Sequence, residues 1–257
     1  MFIKFINHYN AKEFMMTTST TQPVYSAVSA THSLSTGKPK VGEAKEWMKS
    51  GWTLYKKAPV KLTLITMLFV LVPAVLQALP APFGVTFSKW LGPLLMALVW
   101  PIMHNIAKDD KFSFKHNATW AKWGRLALWS LSGIVFMALH FAFAGLLIEG
   151  EQLTSLLAGQ AVDVAPWRVG STFAFMTLVQ MPFMFVGAQI LIANKSILRA
   201  VKDSVSSIVP AYKPMALLTL IAMLIAFLAP YTAVLSALLL GPILTCCLFS
   251  AYKQLIK

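Results

Sequence analysis

The chain contains few charged residues and very few acidic ones. Of its 257 residues, 12 % are charged, with nine Asp and Glu against 22 Lys and Arg. A soluble domain carries about a quarter charged residues, so this chain has too few to cover a surface that faces water. Because 57 % of the residues are hydrophobic, the composition predicts a protein embedded in a membrane.

Carboxylates are missing from the long apolar segments. All nine lie outside the membrane helices predicted below, whereas carriers coupled to protons or sodium commonly use a buried carboxylate as the group whose charge changes. The sequence also lacks the H-E-x-x-H motif of zinc proteases and a serine in a G-x-S-x-G setting. We therefore predict a protein that is not an enzyme, with no catalytic residues and no cofactor.

Cysteine is equally scarce. The two cysteines, Cys246 and Cys247, are adjacent within an apolar run. Neighbouring residues on a helix point about 100° apart, which suits neither a shared metal ion nor a disulfide. The sequence therefore predicts no metal site and no redox centre here.

Six apolar segments are candidates for crossing the membrane. A helix of about 20 residues spans the roughly 30 Å hydrocarbon core. The last apolar run, 214–252, would be about twice that thickness as one helix, and Pro230 marks the expected break. The predicted spans are about 60–79, 87–106, 126–148, 171–193, 214–229 and 231–252. The sequence thus predicts an all-α polytopic membrane protein with six transmembrane helices.

The segments before the first span have a different character. Residues 1–41 include a run rich in Ser and Thr with few large apolar residues, which predicts a disordered cytoplasmic tail. From Gly42 the pattern becomes amphipathic, and we place Trp47 and Trp52 on one side and several lysines on the other. This pattern predicts a helix that lies in the membrane interface.

The distribution of basic residues predicts the orientation. If the N-terminus is cytoplasmic, all of the 22 Lys and Arg except Lys89 and Arg168 lie on the cytoplasmic side. Cytoplasmic loops carry an excess of Lys and Arg. We therefore expect both termini in the cytoplasm of a bacterium, with the helices in its inner membrane.

A weak threefold pattern relates the predicted helices. An aromatic or basic stretch precedes the first, third and fifth helices, at 51–60, 119–128 and 207–217. The second, fourth and sixth helices carry a proline in a similar setting, at 92–101, 181–189 and 241–249. The pattern predicts three helical hairpins, although the spacing between the hairpins differs.

The segment Gly51–Pro59, with the sequence GWTLYKKAP, resembles the start of a family of uncharacterised proteobacterial inner-membrane proteins. That family begins with G-W-x-L-[FY]-[KR]-x-x-P, and the Gly-Pro pair at 92–93 is also similar. More distantly, the chain is similar to the membrane domain attached to some glycerophosphodiester phosphodiesterases. The resemblance covers about residues 42–257. It implies a six-helix fold in a bacterial inner membrane and no established reaction.

His140, near the middle of the third predicted span, is the first candidate for a ligand contact. An ionisable residue at this depth costs free energy unless it faces a partner or water. The alternative is a neutral imidazole that is hydrogen-bonded to another helix, for example to Gln180 or Gln189 of the fourth span. Gln180 and Gln189 have the same two interpretations, and they lie on roughly opposite faces of their helix.

His104 lies where the second predicted span ends, one turn before Asp109 and Asp110. This group could act on lipid headgroups as a membrane enzyme, or it could bind a metal together with His116 of the following loop. The neighbouring Lys108 and Lys111 weaken the metal interpretation.

Basic and aromatic residues next to the spans are predicted to contact the headgroups of anionic lipids. Lysine reaches toward phosphate, and tryptophan prefers the depth of the headgroups. Interleaved aromatic and basic residues at 111–125 could bind single-stranded nucleic acid, but beside a span we expect lipid contact and no nucleic acid. The predicted lipid contacts are Lys49, Lys56, Lys57, Lys61, Lys122, Arg125, Trp52 and Trp123.

Three functional hypotheses follow from the sequence. The first is an inner-membrane protein without catalytic chemistry that binds lipid or accompanies a larger membrane or envelope complex. The second is a small carrier or channel for a neutral or anionic solute, which uses His140 and the glutamines. The third is an enzyme that acts on lipid headgroups through His104, Asp109 and Asp110.

Overall fold

The computed structural model describes residues 42–77, 79, 83–113, 119–157, 160 and 162–256. The predicted tail at 1–41 lies outside the described residues. Every regular element in the described part of the chain is a helix. The helices are α1 (Gly42–Lys57), α2 (Pro59–Leu76), α3 (Phe83–Ala97), α4 (Val99–Asp109), α5 (Trp120–Ser130), α6 (Ser132–Leu147), α7 (Gly150–Leu157), α8 (Pro166–Gln180), α9 (Val186–Leu191), α10 (Ile197–Ile208), α11 (Tyr212–Leu228) and α12 (Leu235–Leu255).

Five helical stretches are long and apolar enough to cross a membrane. They are Pro59–Leu76, Phe83–Asp109, Trp120–Leu147, Pro166–Leu191 and Leu235–Leu255. A sixth candidate is the pair formed by α10 and α11, which meet at a bend of 101°. Within this pair α11 is the apolar helix and α10 is amphipathic. The predicted all-α polytopic membrane fold is therefore confirmed, with five or six crossings.

Three of the crossing stretches are broken near their middle, and each break has a local cause. Pro101 has no N–H to donate to the carbonyl of Ala97, and α3 ends at Ala97. Pro182 lies in a short 3₁₀ turn, Met181–Phe183, that separates α8 from α9. The break between α5 and α6 at Leu131 precedes a Ser-Gly pair.

The bundle has two unlike ends. At one end lie most of the Lys and Arg, and we call it the basic end. It is formed by α1, α10, the starts of α5 and α11, and the ends of α4 and α12. The opposite end, where α2 ends and α3 begins, is the far end. The largest buried cluster lies at the basic end and includes Trp47, Met103, Phe185, Met215 and Tyr252.

Burial decreases toward the far end. In α11 the buried residues all lie between Pro214 and Thr219, at the basic end of the helix. Large apolar side chains farther along the helices are exposed, among them Leu71, Val75, Leu146 and Leu224. An apolar surface of this kind marks contact with lipid. The basic half of the protein is therefore tightly packed, and the far half is more open.

The amphipathic helix before the first span forms, but one predicted feature of it is wrong. Trp47 and Trp52 are five residues apart, which places them about 140° apart around α1 rather than on one face. Trp47 is fully buried against α12, where its indole N–H donates to the Gln254 side chain at 2.5 Å, while Trp52 is 46 % exposed. The apolar face of α1 is therefore covered by protein.

Gly51 allows this close contact between α1 and α12. A Cβ atom at this position would lie 2.5 Å from the backbone of Cys247. The Cys247 thiol in turn donates to the Met48 carbonyl at 3.9 Å. The absent side chain thus lets the two helix backbones approach each other directly.

Neighbouring helices pack in pairs: α2 with α3, α6 with α8, and α11 with α12. These are the pairs that the threefold sequence pattern predicts. The helix α11 also packs along α8, where Gly170 faces the Phe227 carbonyl. An internal repeat of the three hairpins stays a prediction.

Candidate functional site: a cavity between the membrane helices

A cavity of about 560 Å³ lies between the membrane helices. This volume is within the range of small-molecule binding pockets, about 300–1,000 Å³. Most of its wall is apolar and includes Pro73, Met96, Phe136, Met176 and Leu244. An apolar molecule or chain would therefore find a compatible environment inside the bundle.

The cavity ends against an aromatic cluster on the side of the basic end. Trp100 lines the cavity and contacts Phe185, Phe249 and Tyr252 with ring centroids 6.0, 6.2 and 5.6 Å apart. All four side chains are buried. In the other direction the lining reaches Gln77, one residue beyond the end of α2. The cavity thus extends toward the far end and is closed toward the basic end.

Several polar side chains line the cavity: Gln77, Ser88, Lys89, Ser132, His140, Thr177, Gln180, Thr219 and Thr245. Four of the hydroxyls donate to carbonyls of their own helix, at Ser88, Thr177, Thr219 and Thr245. The Ser132 hydroxyl oxygen is buried and has no hydrogen-bond partner among the described residues. The protein therefore satisfies only part of the hydrogen-bonding capacity of these polar side chains.

The structure places two of the predicted polar residues, His140 and Gln180, on this cavity. The His140 ring packs edge-on against Phe173 at 5.8 Å, and neither Gln180 nor Gln189 is hydrogen-bonded to it in the described part of the chain. Gln189 lies apart, fully buried near the basic end. Its amide accepts from Lys195 at 2.6 Å and donates to the Ala200 carbonyl at 3.4 Å.

Lys89, which the distribution of basic residues placed on the outer side, lines the cavity. It lies six residues after Phe83, so about 9 Å of helix separates it from the start of α3. Gly133 of α6 packs against this turn, since a Cβ there would lie 2.0 Å from the Lys89 carbonyl oxygen. The signal for Lys89 was its position inside the predicted span 87–106.

His104 lies on α4 and is partly buried. Asp110, at the end of α4, forms an ion pair with Lys57 of α1 at 2.5 Å. Among the described residues no group of three His, Cys, Asp or Glu is close enough to hold a metal ion. His116, the second histidine of the predicted metal site, lies outside the described residues. The ion pair shows that Asp110 links α4 to α1.

Two predicted lipid contacts, Lys122 and Arg125, donate hydrogen bonds to backbone carbonyls. Lys122 is 7 % exposed and donates to the Leu191 carbonyl at 3.1 Å. Arg125 donates to the carbonyls of Asn194 and Lys195 at 3.2 and 3.0 Å. Both cations satisfy carbonyls at and beyond the C-terminal end of α9, where a helix leaves its last acceptors free. Lys122 is therefore buried in the protein, contrary to the prediction, whereas headgroup contact by the partly exposed Arg125 stays a prediction.

The other predicted lipid contacts differ in their exposure. Lys49, Lys56 and Lys61 are exposed at the basic end, and the Lys61 ammonium lies 5.7 Å from the centroid of the Phe112 ring. Lys57 is exposed but paired with Asp110. Trp123 is partly buried against a second cluster of buried residues, which includes Leu126, Val186 and Ile190. The exposed side chains of Lys49, Lys56, Lys61 and Trp52 can therefore contact lipid headgroups.

The turn between α9 and α10 is held by a further polar group. Lys195 donates both to Gln189 at 2.6 Å and to the Asp203 carboxylate at 2.7 Å. The hydrogen bond from Lys195 holds the pKa of Asp203 below its ordinary value. This group fixes the direction in which α10 leaves the bundle.

No protein-family model, no curated protein and no solved structure matches this chain. Functional conclusions therefore depend on the geometry of the cavity and on the two ends of the bundle.

Proposed function

We propose that this is an integral protein of a bacterial inner membrane that binds a lipid-type amphipathic molecule in the cavity between its helices. The observation that carries the proposal is the division of the cavity wall: most of it is apolar, with unsatisfied polar groups on part of it. An amphipathic molecule matches such a wall, because its chain can lie against Met and Phe side chains while its polar part reaches donors.

Orientation and location belong to the same proposal. The basic end faces the cytoplasm, in agreement with the excess of Lys and Arg there. Lys49, Lys56 and Lys61 are exposed at that end and would meet anionic headgroups. Membership in the inner-membrane family that the segment Gly51–Pro59 resembles is part of the proposal, as is an accessory role without catalysis in a larger membrane complex.

One observation favours a second function, a carrier for a neutral or anionic solute. The cavity is closed by the Trp100 cluster on one side and extends toward the far end on the other. Alternating access requires a site that is closed on one side of the membrane while it is open on the other. Flux of inorganic phosphate into vesicles that contain the purified protein would support this second function.

Native mass spectrometry of the full-length protein, extracted gently from its own membrane, tests the lipid proposal. Gly92 lines the cavity, and the nearest atom to a Cβ placed there is 4.0 Å away. The substitution Gly92→Leu should therefore fill part of the cavity without a backbone clash and reduce the amount of bound lipid.

The matched control is Gly241→Leu. Gly241, like Gly92, precedes a proline inside a helix, and a Cβ there meets no atom within 4 Å. Because Gly241 does not line the cavity, this variant should keep its lipid. Equal lipid content in both variants, or no lipid in the wild-type protein, contradicts the proposal. A protein that co-purifies reproducibly would support the accessory role.

A further inference from the structure

Lys89 lines the cavity and has no anionic partner among the described residues. Among the described residues that line the cavity it is the only Lys or Arg. The ion pairs in the described part of the chain join Lys57 to Asp110 and both Lys195 and Arg199 to Asp203, so none involves Lys89. An unpaired charge within a membrane helix is costly and marks a functional position.

No carboxylate of the described residues forms an ion pair with Lys89. Glu149, Glu151 and Asp163 belong to the connection between α6 and α8, and none of the described residues that line the cavity is a carboxylate. A lysine near a helix end can extend its ammonium to the membrane surface. That alternative leaves Lys89 without a ligand, and the experiment below distinguishes it.

Further hydrogen-bond donors share the cavity with Lys89. His140 of α6 lines the same cavity as Lys89. The buried Ser132 hydroxyl has no partner in the described chain, and Ser132 adjoins Gly133, which packs on the Lys89 carbonyl. An ammonium, a free hydroxyl and an imidazole N–H together suit the oxygen atoms of a phosphate or carboxylate.

We infer that Lys89 binds the anionic group of the molecule in the cavity, with Ser132 and His140 as additional donors. This inference rests on the proposed function and specifies its ligand: an amphipathic molecule that carries a phosphate or carboxylate. The same chemistry would accept a lipid headgroup or a free anion. In either case the ligand supplies a counter-charge that the described residues do not provide.

The test compares anionic and zwitterionic lipid. Full-length protein is placed in nanodiscs that contain phosphatidylglycerol and phosphatidylethanolamine in equal amounts, and the lipids retained after release are measured by native mass spectrometry. The wild-type protein should prefer phosphatidylglycerol, and Lys89→Met should lose about tenfold of that preference, as expected for one charge-assisted hydrogen bond. Lys89→Arg should restore it.

Lys253→Met is the matched control, because Lys253 is exposed in the last turn of α12, does not line the cavity and is not among the predicted headgroup contacts. This variant should keep the wild-type preference. If Lys89→Met aggregates, Lys89→Gln carries the same comparison. Unchanged preference in a folded Lys89 variant would overturn the inference, since it would show a lysine that only reaches toward the membrane surface.

Two further arms separate the possible outcomes. Thermal stabilisation by inorganic phosphate that is present in the wild-type protein and lost in Lys89→Met, without retained phosphatidylglycerol, identifies a free anion as the ligand and supports the anion site. Lipid that is retained without regard to its charge overturns the anion site but leaves the proposed function standing. If neither lipid nor phosphate binds, both the proposed function and the inference are wrong.

Discussion

The contact between α1 and α12 at Gly51 leads to a prediction that can separate two arrangements of α1. If α1 packs on α12, the substitution Gly51→Ala must be harmful, because the new Cβ would lie 2.5 Å from the Cα of Cys247 and 2.7 Å from its sulfur. If α1 lay instead in the headgroup layer, the same methyl group would face no backbone.

The expected magnitude follows from the geometry. Carbon atoms in contact are about 3.5–4.0 Å apart, so α1 must move outward by about 1 Å along its contact with α12. Overpacking of this kind costs about 1–3 kcal/mol. Such a movement would also loosen the buried Trp47 and its hydrogen bond to Gln254.

The Cys247 thiol provides a local assay. It is 4 % exposed beneath α1, so it should react with a maleimide only when α1 moves away. With Cys246 replaced by alanine, Gly51→Ala should raise the labelling rate of Cys247 by about 5- to 160-fold, which corresponds to 1–3 kcal/mol. The midpoint of thermal unfolding should fall as well.

Gly124→Ala is the control for the general effect of replacing a helical glycine. A Cβ at Gly124 of α5 meets no atom within 4 Å, and alanine is favoured over glycine in a helix by about 0.5–1 kcal/mol. This variant should be neutral or slightly more stable. If Gly51→Ala behaves like Gly124→Ala in both assays, α1 does not pack on α12 and the original interfacial prediction is correct.

Three further predictions concern the aromatic cluster, the polar group beside α10 and the orientation. Trp100→Ala should lower the free energy of unfolding by about 3–5 kcal/mol and let protein-containing vesicles leak ions. Vesicles that do not leak ions would show that the aromatic cluster does not close the cavity. The lowered pKa of Asp203 means that its interaction with Lys195 stabilises the protein above the ordinary carboxyl pKa. This contribution to the free energy of unfolding is lost as the pH falls through the lowered pKa. Asp203→Asn should therefore reduce the drop in melting temperature at acidic pH. An unchanged drop would show that the pair of Asp203 and Lys195 does not cause it. In spheroplasts of a chain without native cysteines, an impermeant maleimide should label Thr154→Cys and not Ser206→Cys; the reverse result would invert the orientation.

The lengths of the apolar segments predicted where the membrane helices lie, because the thickness of a bilayer limits both the length and the polarity of a crossing helix. The ends of the helices were less predictable. For example, α5 begins at Trp120, six residues before the predicted span, since hydropathy reports where a segment becomes apolar and not where its helix starts. Polarity within an apolar run also identified His140 and Gln180, which line the cavity.

Features that depend on which helices are neighbours were not predictable from one sequence. Lys122 has the composition and position of a headgroup contact, yet it donates to Leu191 of α9, which is distant in sequence. Trp47 has the character of an interfacial residue, yet α12 covers it. Lys89 was counted with the outer surface because it lies close to the outer end of the predicted span 87–106. The direction in which each side chain points is decided by packing.

The aromatic cluster around Trp100 has an electrical consequence. When water enters the cavity from the far end, the layer of low dielectric constant is reduced to the packed half of the protein. From Trp100 to the end of α4 at Asp109 this layer is about 14 Å thick, against roughly 30 Å for the bilayer. The membrane voltage, worth about 2.3 kcal/mol per charge per 100 mV, would fall mostly across the Trp100 layer. A charge held at Lys89 would lie on the far side of that drop and could bind or leave without performing electrical work.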